Sequence, residues 1–178
     1  MKVLVPLAQD CEEIEAVTVI DILRRAGIET VSAGLDRQSV KASRGVVLVP
    51  DTDLDTALKS KYDMVVLPGG AGTKHLREDG RILSLVRETA SAGGYVAAIC
   101  AAPTVLARAG LLENRKATAF PGSLEAMGFE NAGTSVVREG NVVTSRGPGT
   151  AMDFALELVE ILAGSDKRIE VEKALARP

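Results

Sequence analysis

The chain has 178 residues, 46% of them hydrophobic and 25% charged, with no Trp and a net charge of −3. That length suits one domain with a sizeable core, and the composition is that of an ordinary globular protein. The charge gives no reason to expect a nucleic-acid or anionic-membrane partner. Two cysteines are too few for a disulfide framework, so a reducing, cytoplasmic setting is the expectation. With His75 as the one histidine, a multi-histidine metal site is excluded within a single chain. The first apolar run, residues 3–7, leads straight into Asp10 and Glu12-Glu13 and lacks the length and cleavage site of a signal peptide. No apolar stretch reaches membrane-spanning length.

In chain order, the pattern predicts a strand over 2–7, a helix over 12–26, and strands over 29–33, 46–49 and 64–67. A helix over 81–92, a strand over 95–99 and a helix over 103–109 follow. Strands over 135–138 and 141–144 flank Glu139-Gly140-Asn141, which reads as a hairpin turn. Thr150-Ala151-Met152-Asp153 reads as a capping box opening a helix over 151–162, and a charged surface helix over 167–176 ends the chain. Strands that precede helices are short continuous apolar runs, as a sheet covered on both faces requires. The alternation implies βαβ units and a mostly parallel sheet. No repeat or linker interrupts it, so residues 1–178 are expected to form a single α/β domain.

Ligands in such sheets bind beyond the carboxyl ends of the strands, where three loops should meet. One is the turn after residue 99. Residues 95–99 suit a buried strand; Cys100 follows, then Ala101-Ala102 and a proline suited to a first helical turn. This reads as a nucleophile elbow, a sharp turn that lifts a side chain above the sheet. A helix start beside a thiol favours the thiolate, so a depressed Cys100 pKa is expected. A buried core cysteine is the plainer alternative.

The second loop, Pro68-Gly69-Gly70-Ala71-Gly72, lacks the Gly-Lys-Ser/Thr ending of a P-loop and the dinucleotide pattern. Its glycines would let a backbone amide, that of Gly70, join the Ala101 amide in an oxyanion hole; a tight turn that merely needs glycine is the alternative. The third loop carries Glu12, Glu13 and Glu15. Glu15 shares a helical stripe with Val19, Ile22 and Ala26, and Glu12 shares one with Ala16, Val19 and Leu23, so periodicity does not choose between them. A half-buried carboxylate has a raised pKa and can carry protons at neutral pH; solvated acids at a helix start are the alternative. His75, on a predicted surface turn, is a possible partner for the thiol. Arg44 and Arg146 sit in glycine-containing turns and suit either an anionic substrate or structural ion pairs. Cys11 is a candidate resolving thiol or a plain small residue.

Several strings in order then carry a resemblance over essentially the whole chain: Glu12-Glu13-Ile14-Glu15-Ala16-Val17, Arg24-Arg25-Ala26-Gly27-Ile28, Ser43-Arg44-Gly45-Val46, Val65-Val66-Leu67-Pro68-Gly69-Gly70, Ala97-Ala98-Ile99-Cys100-Ala101-Ala102-Pro103 and Thr144-Ser145-Arg146-Gly147-Pro148-Gly149-Thr150. They resemble the DJ-one/PfpI (ThiJ/PfpI) superfamily, in its YajL/DJ-one-like branch. The resemblance implies a flavodoxin-like, three-layer α/β sandwich that works as a homodimer without a cofactor. It places the reactive cysteine on Cys100, its acidic partner on Glu15 and the oxyanion amides on Gly70 and Ala101. Gly69 supports the site, Arg44 lies near it and the dimer contact, and the dimer should bring Arg25 or Arg44 near the other subunit's site. It further implies action on 2-oxoaldehydes or their adducts, as a glyoxalase turning methylglyoxal into lactate or a deglycase acting on glycated protein. The rival class is a redox sensor or holdase chaperone that uses oxidation of Cys100; an intracellular peptidase or amidase is a further alternative. Several members place a histidine where this chain has Phe120, so a Cys-His dyad has no source but His75, and proteolysis normally needs a histidine acid.

Overall fold

The structure, a computed structural model, describes residues 1–36 and 38–177. Its elements are β1 (Lys2–Leu7), α1 (Glu13–Arg25), β2 (Glu29–Gly34), β3 (Val40–Lys41), β4 (Val47–Leu48), β5 (Thr52–Asp53), α2 (Leu54–Ala57), β6 (Met64–Leu67), α3 (Thr73–Glu78), α4 (Gly80–Ser91), β7 (Tyr95–Ile99), α5 (Pro103–Arg108), β8 (Val136–Glu139), β9 (Val142–Ser145), α6 (Ala151–Ala163) and α7 (Ser165–Ala174). The main sheet runs β5-β2-β1-β6-β7-β9-β8. Every pairing in it is parallel except β8 with β9, the predicted hairpin. Helices cover both faces, and the arrangement is a flavodoxin-like α/β sandwich.

Side chains alternate across a strand, and here both sides are apolar. Val3, Val5, Leu7, Met64, Val66, Ala97 and Ile99 pack with Ala16, Val19, Ile22 and Leu23 of α1 and with Phe154, Leu158 and Val159 of α6. Leu4, Val65, Leu67, Val96 and Ala98 face the other way, against Ile82 and Val86 of α4 and Val105 and Leu106 of α5. This two-sided burial is why the strands read as unbroken apolar runs.

Three expectations need correction. The apolar run 46–49 is not a strand of the main sheet: β4 pairs antiparallel with β3 in a separate two-stranded ribbon, and Val46, Val47 and Val49 are exposed. Consecutive valines signal β structure but do not say which sheet receives it. The Thr150 hydroxyl does not cap α6; it accepts from the Gly147 amide, donates back to the Gly147 carbonyl and bonds Ser145 Oγ, closing a short 3₁₀ turn ahead of the helix. The pattern also missed β3, β5, α2 and α3, each too short to show a period.

Candidate active site

Strand β7 ends at Ile99, and the next residue breaks the alternation of its side chains. Cys100 has φ of 63°, in the left-handed region that costs an L-residue about 1–2 kcal/mol. Residues 97 and 99 face α1, so regular alternation would send position 100 to the opposite face; the turn instead puts the thiol on the α1 side. Two neighbouring segments pin it there. The Cys100 amide donates to the Ser145 carbonyl at 3.0 Å, and the Phe120 amide donates to the Cys100 carbonyl at 2.8 Å. Pro103 then starts α5 within its first turn. The elbow anticipated from sequence is thus present, with Cys100 only 8% exposed.

On the α1 side the thiol meets Glu15, which is fully buried. Glu15 Oε2 accepts from the Gly69 amide at 2.7 Å. The other oxygen, Oε1, is also buried and has no hydrogen-bond partner among the described residues. Gly69 is squeezed between the two: a Cβ there would lie 2.7 Å from Cys100 Cβ and 2.9 Å from Glu15 Oε2. Gly70 has φ of 88°, and a Cβ on it would meet the Glu12 nitrogen at 2.5 Å. Glycine at 69 lets this backbone close on Cys100 and glycine at 70 lets it close on the 10–12 backbone, and the Gly70 and Ala101 amides both favour the thiolate.

Burial raises Glu15 to about 7, with the Glu12 charge adding to it, against the opposing pull of the Gly69 amide and the thiol. Burial and then the Glu15 charge push Cys100 up to about 12, although the Gly70 and Ala101 amides pull it down. The expected depressed thiol pKa is therefore overturned. α5 is one short helix of six residues, and its start does not outweigh burial beside a carboxylate. Near neutrality the thiol keeps its proton and Glu15 takes up a second one. Protonation of Glu15 removes the charge that raises the thiol, so a thiolate formed there faces a carboxylic O–H.

The remaining candidates divide. Cys11 is buried, its amide donates to the Ala8 carbonyl, and its backbone bridges Gly70; both cysteines are free thiols. Ser43 Oγ lies 3.0 Å from Glu12 Oε2 and from Glu13 Oε2, and the Arg44 amide donates to Glu13 Oε1 at 2.8 Å. Burial alone would raise Glu13, but its own amide, the Ser43 hydroxyl and the Arg44 and Val46 amides hold it below the usual range. These two glutamates therefore fasten the 43–46 turn to α1. The Arg44 side chain is exposed and forms no ion pair among the described residues. Arg25 is paired with Asp21 at 2.7 Å on the helix surface, and Arg146 Nη1 donates to the Gly133 carbonyl at 2.7 Å. His75 is exposed and lines a cleft with Leu7, Gln9 and Asp36, one that Cys100 does not line. Phe120 stands half exposed beside the elbow. Sequence reading missed the Ser43 clamp on two glutamates and the Ser145 carbonyl under Cys100, contacts between segments far apart in the chain. No group of His, Cys, Asp and Glu among the described residues suits a metal ion, and no described helix is long and apolar enough to cross a membrane.

The DJ-1/PfpI family model matches residues 1–161. The chain is 46% identical to Protein dj-1beta of Drosophila melanogaster, over 97% of this chain and 95% of that one. It is 36% identical to the glutathione-independent glyoxalase DJR-1.2 of Caenorhabditis elegans, over 94% and 91%. The crystal structure of Drosophila melanogaster DJ-1beta superposes with a TM-score of 0.94 at 43% identity, covering 99% of this chain and 98% of that chain. The structure of oxidized Toxoplasma gondii DJ-1 superposes at 0.93 with 38% identity, covering 98% and 97%. With the same fold, near-complete mutual coverage and this level of identity, the chain belongs to the DJ-1/PfpI family.

Proposed function

We propose that the protein is a cofactor-independent enzyme acting on 2-oxoaldehydes or their adducts, with Cys100 as nucleophile, Glu15 as proton carrier and the Gly70 and Ala101 amides as oxyanion donors. The observation that carries this reading is the buried Cys100–Glu15 pair, with Glu15 raised to about 7 and two amides on the sulfur. The thiolate adds to the aldehyde carbon, and its carbonyl electron pair moves to an oxygen held by the two amides. Protonated Glu15 gives that oxygen its proton, making a hemithioacetal. The carboxylate then takes the hydrogen of the former aldehyde carbon as a proton and returns it to the neighbouring ketone carbon, while the hydroxyl proton passes from the former aldehyde oxygen to the former ketone oxygen. One carbon is oxidised to a thioester as the other is reduced to an alcohol, so no external redox partner is needed. Water cleaves the thioester, releasing a 2-hydroxy acid and the thiol. Removal of sugar-derived adducts from glycated protein draws on the same attack. Peptide cleavage fits poorly, because Phe120 stands near the elbow and His75 lines another cleft.

The test is lactate formation from methylglyoxal. Cys100→Ser should lose at least ~10³-fold in turnover, and no lactate from the wild-type chain overturns the reading. A redox-sensor role is the second reading, favoured by a relative whose structure is of an oxidized form; a sulfinate on Cys100 would lie against the same amides. Undiminished protection of a client protein by Cys100→Ser would rule that role out.

We also propose a homodimer. Ile14 and Val17 on α1 and Val46, Val47 and Val49 around β4 form exposed apolar surface, and the Ser43 and Arg44 bonds to Glu12 and Glu13 join the two parts. Such surface marks an interface, and two-fold dimers are the commonest closed assembly. Light scattering should give twice the chain mass, and Val47→Asp should lower it.

A further inference from the structure

The Ala101 N–H shares a planar peptide unit with the Cys100 carbonyl, and in a trans unit the two point in opposite directions. Whatever holds that carbonyl therefore aims that amide. The holder is the Phe120 amide, which donates to the Cys100 oxygen at 2.8 Å. Phe120 lies in no strand, so no ladder of main-chain bonds fixes it. Side chains do this instead, through the two residues before it. Ala119 is fully buried, and Asn131 meets it as a partner strand would. The Ala119 amide donates to Asn131 Oδ1 at 3.1 Å, and Asn131 Nδ2 donates back to the Ala119 carbonyl at 3.2 Å. The Gly133 amide also donates to that Oδ1, at 3.2 Å, which sets the plane of the carboxamide. One residue earlier, the amide of fully buried Thr118 donates to Thr144 Oγ1 at 3.0 Å.

Thr144 has a fixed base. Its main chain is locked in β9 between Ala98 of β7 and Val137 of β8. The next residue is Ser145, whose carbonyl accepts the Cys100 amide. The main chain of Thr144 thus leads to the bond on the amide side of Cys100, and its hydroxyl holds the segment that bonds the carbonyl side. A left-handed cysteine persists where its surroundings over-determine it, and Thr144 ties the two constraints together. Because Thr118 and Ala119 are closed to water, an amide that loses its partner there finds no ready substitute, and the segment must shift to satisfy it. Resting on the reading of Cys100 as nucleophile and Ala101 as oxyanion donor, we propose that Thr144 and Asn131 are positioning residues for that reaction: they hold the 118–120 segment so that the Cys100–Ala101 peptide keeps its amide aimed at the developing oxyanion. Neither acts on a reacting atom itself.

The experiment measures steady-state turnover of methylglyoxal and, independently of turnover, the rate at which iodoacetamide labels Cys100 relative to Cys11. Thr144→Val keeps the shape of the side chain and removes its oxygen; Thr144→Ser keeps the oxygen. Loss of a whole oxyanion donor costs ~10²–10³-fold in kcat, so a donor that is present but misdirected should cost ~10-fold. Thr144→Val should show that fall with KM within about threefold of wild type, and Thr144→Ser should bring kcat back to within about threefold. Labelling of Cys100 should slow severalfold in Thr144→Val while Cys11 keeps its rate, because the Ala101 amide favours the thiolate. Asn131→Ala is the second variant. Asn131 is only half-buried, so water reaches the groups it leaves and the chain should fold. It should show the same changes at smaller size, and it decides alone if Thr144→Val does not fold. Unchanged kcat and labelling in the folded variants overturn the proposal, as does a Thr144→Ser variant no better than Thr144→Val. A raised KM with kcat intact overturns it in favour of substrate binding by this segment, and faster labelling of Cys100 overturns it in favour of mere covering of the thiol. If the wild-type chain makes no lactate while Cys100 labelling still slows in Thr144→Val and Asn131→Ala and recovers in Thr144→Ser, the glyoxalase reading fails and the positioning role stands.

Discussion

Strands β1 and β7 each leave the carboxyl edge of the sheet through a turn with a buried thiol, Cys11 in one and Cys100 in the other. Each turn contains a residue of positive φ: Asp10 at 62° and Cys100 at 63°. Both thiols are raised, Cys11 to about 11 by burial and then the Glu13 charge, Cys100 to about 12 by burial and then the Glu15 charge. The pKa alone therefore does not separate them. At the first turn the unusual backbone falls one residue early, and Cys11 spends its amide on the Ala8 carbonyl and its carbonyl on the Ser43 amide, beside Gly70. At the second it falls on the cysteine itself, and the thiol meets a carboxyl raised to about 7 and the Gly70 and Ala101 amides, which favour the thiolate. The lesson is that the two thiols are set apart by where the turn places the strain and what each faces, more than by the resting acidity of the sulfur.

The sharpest way to break this comparison is to keep the geometry of the Cys100 turn and remove its proton. Glu15→Gln should lower turnover of methylglyoxal by ~10²–10⁴-fold, measured as initial rate. Turnover within a few-fold of wild type would move the proton carrier elsewhere.

The next effect is on stability. Glu15 titrates at about 7 in the folded chain against an ordinary value of 4.5. Between those values the folded chain holds a proton that the unfolded chain has released. Stability should fall as pH rises through this window, by about 3 kcal/mol, and then level off. Urea unfolding at a series of pH values reads it, and Glu15→Gln should remove that slope. A parallel slope in the variant would show that Glu15 is not its source.

A smaller effect is expected at the loop that serves both turns, since Gly69 touches Cys100 and Gly70 bridges Cys11. Gly69→Ala should cost about 1–3 kcal/mol through overpacking and disturb Cys100 while leaving Cys11 in place. Smallest, iodoacetamide at pH 8 should label Cys100 about tenfold faster than Cys11, whose main chain is tied to Ala8 and Ser43 rather than set in an elbow beside Glu15. Peptide mass spectrometry gives the two rates, and faster labelling of Cys11 would invert the comparison.

Much of this was legible from the chain. Apolar runs of strand length before helices mark a sheet buried on both sides, and β1, α1, β6, β7, α5 and the β8–β9 hairpin lie within a few residues of where pattern puts them. A cysteine between a buried strand and a proline marked the elbow, and adjacent glycines marked a backbone that approaches something closely. These are local signals, written in residue size and period. Tertiary structure alone decided the rest. Glu12 and Glu15 sit on equally apolar stripes, and only the path of the 68–70 loop against α1 puts Glu15 beneath the Gly69 amide and leaves Glu12 to Ser43. The valines of 46–49 carry strand propensity, yet that stretch forms a ribbon apart from the main sheet. The acidity of Cys100 depends on a carboxylate 85 positions away in the chain and on the exclusion of water, since an electrostatic balance between groups brought together by folding leaves no trace in local sequence.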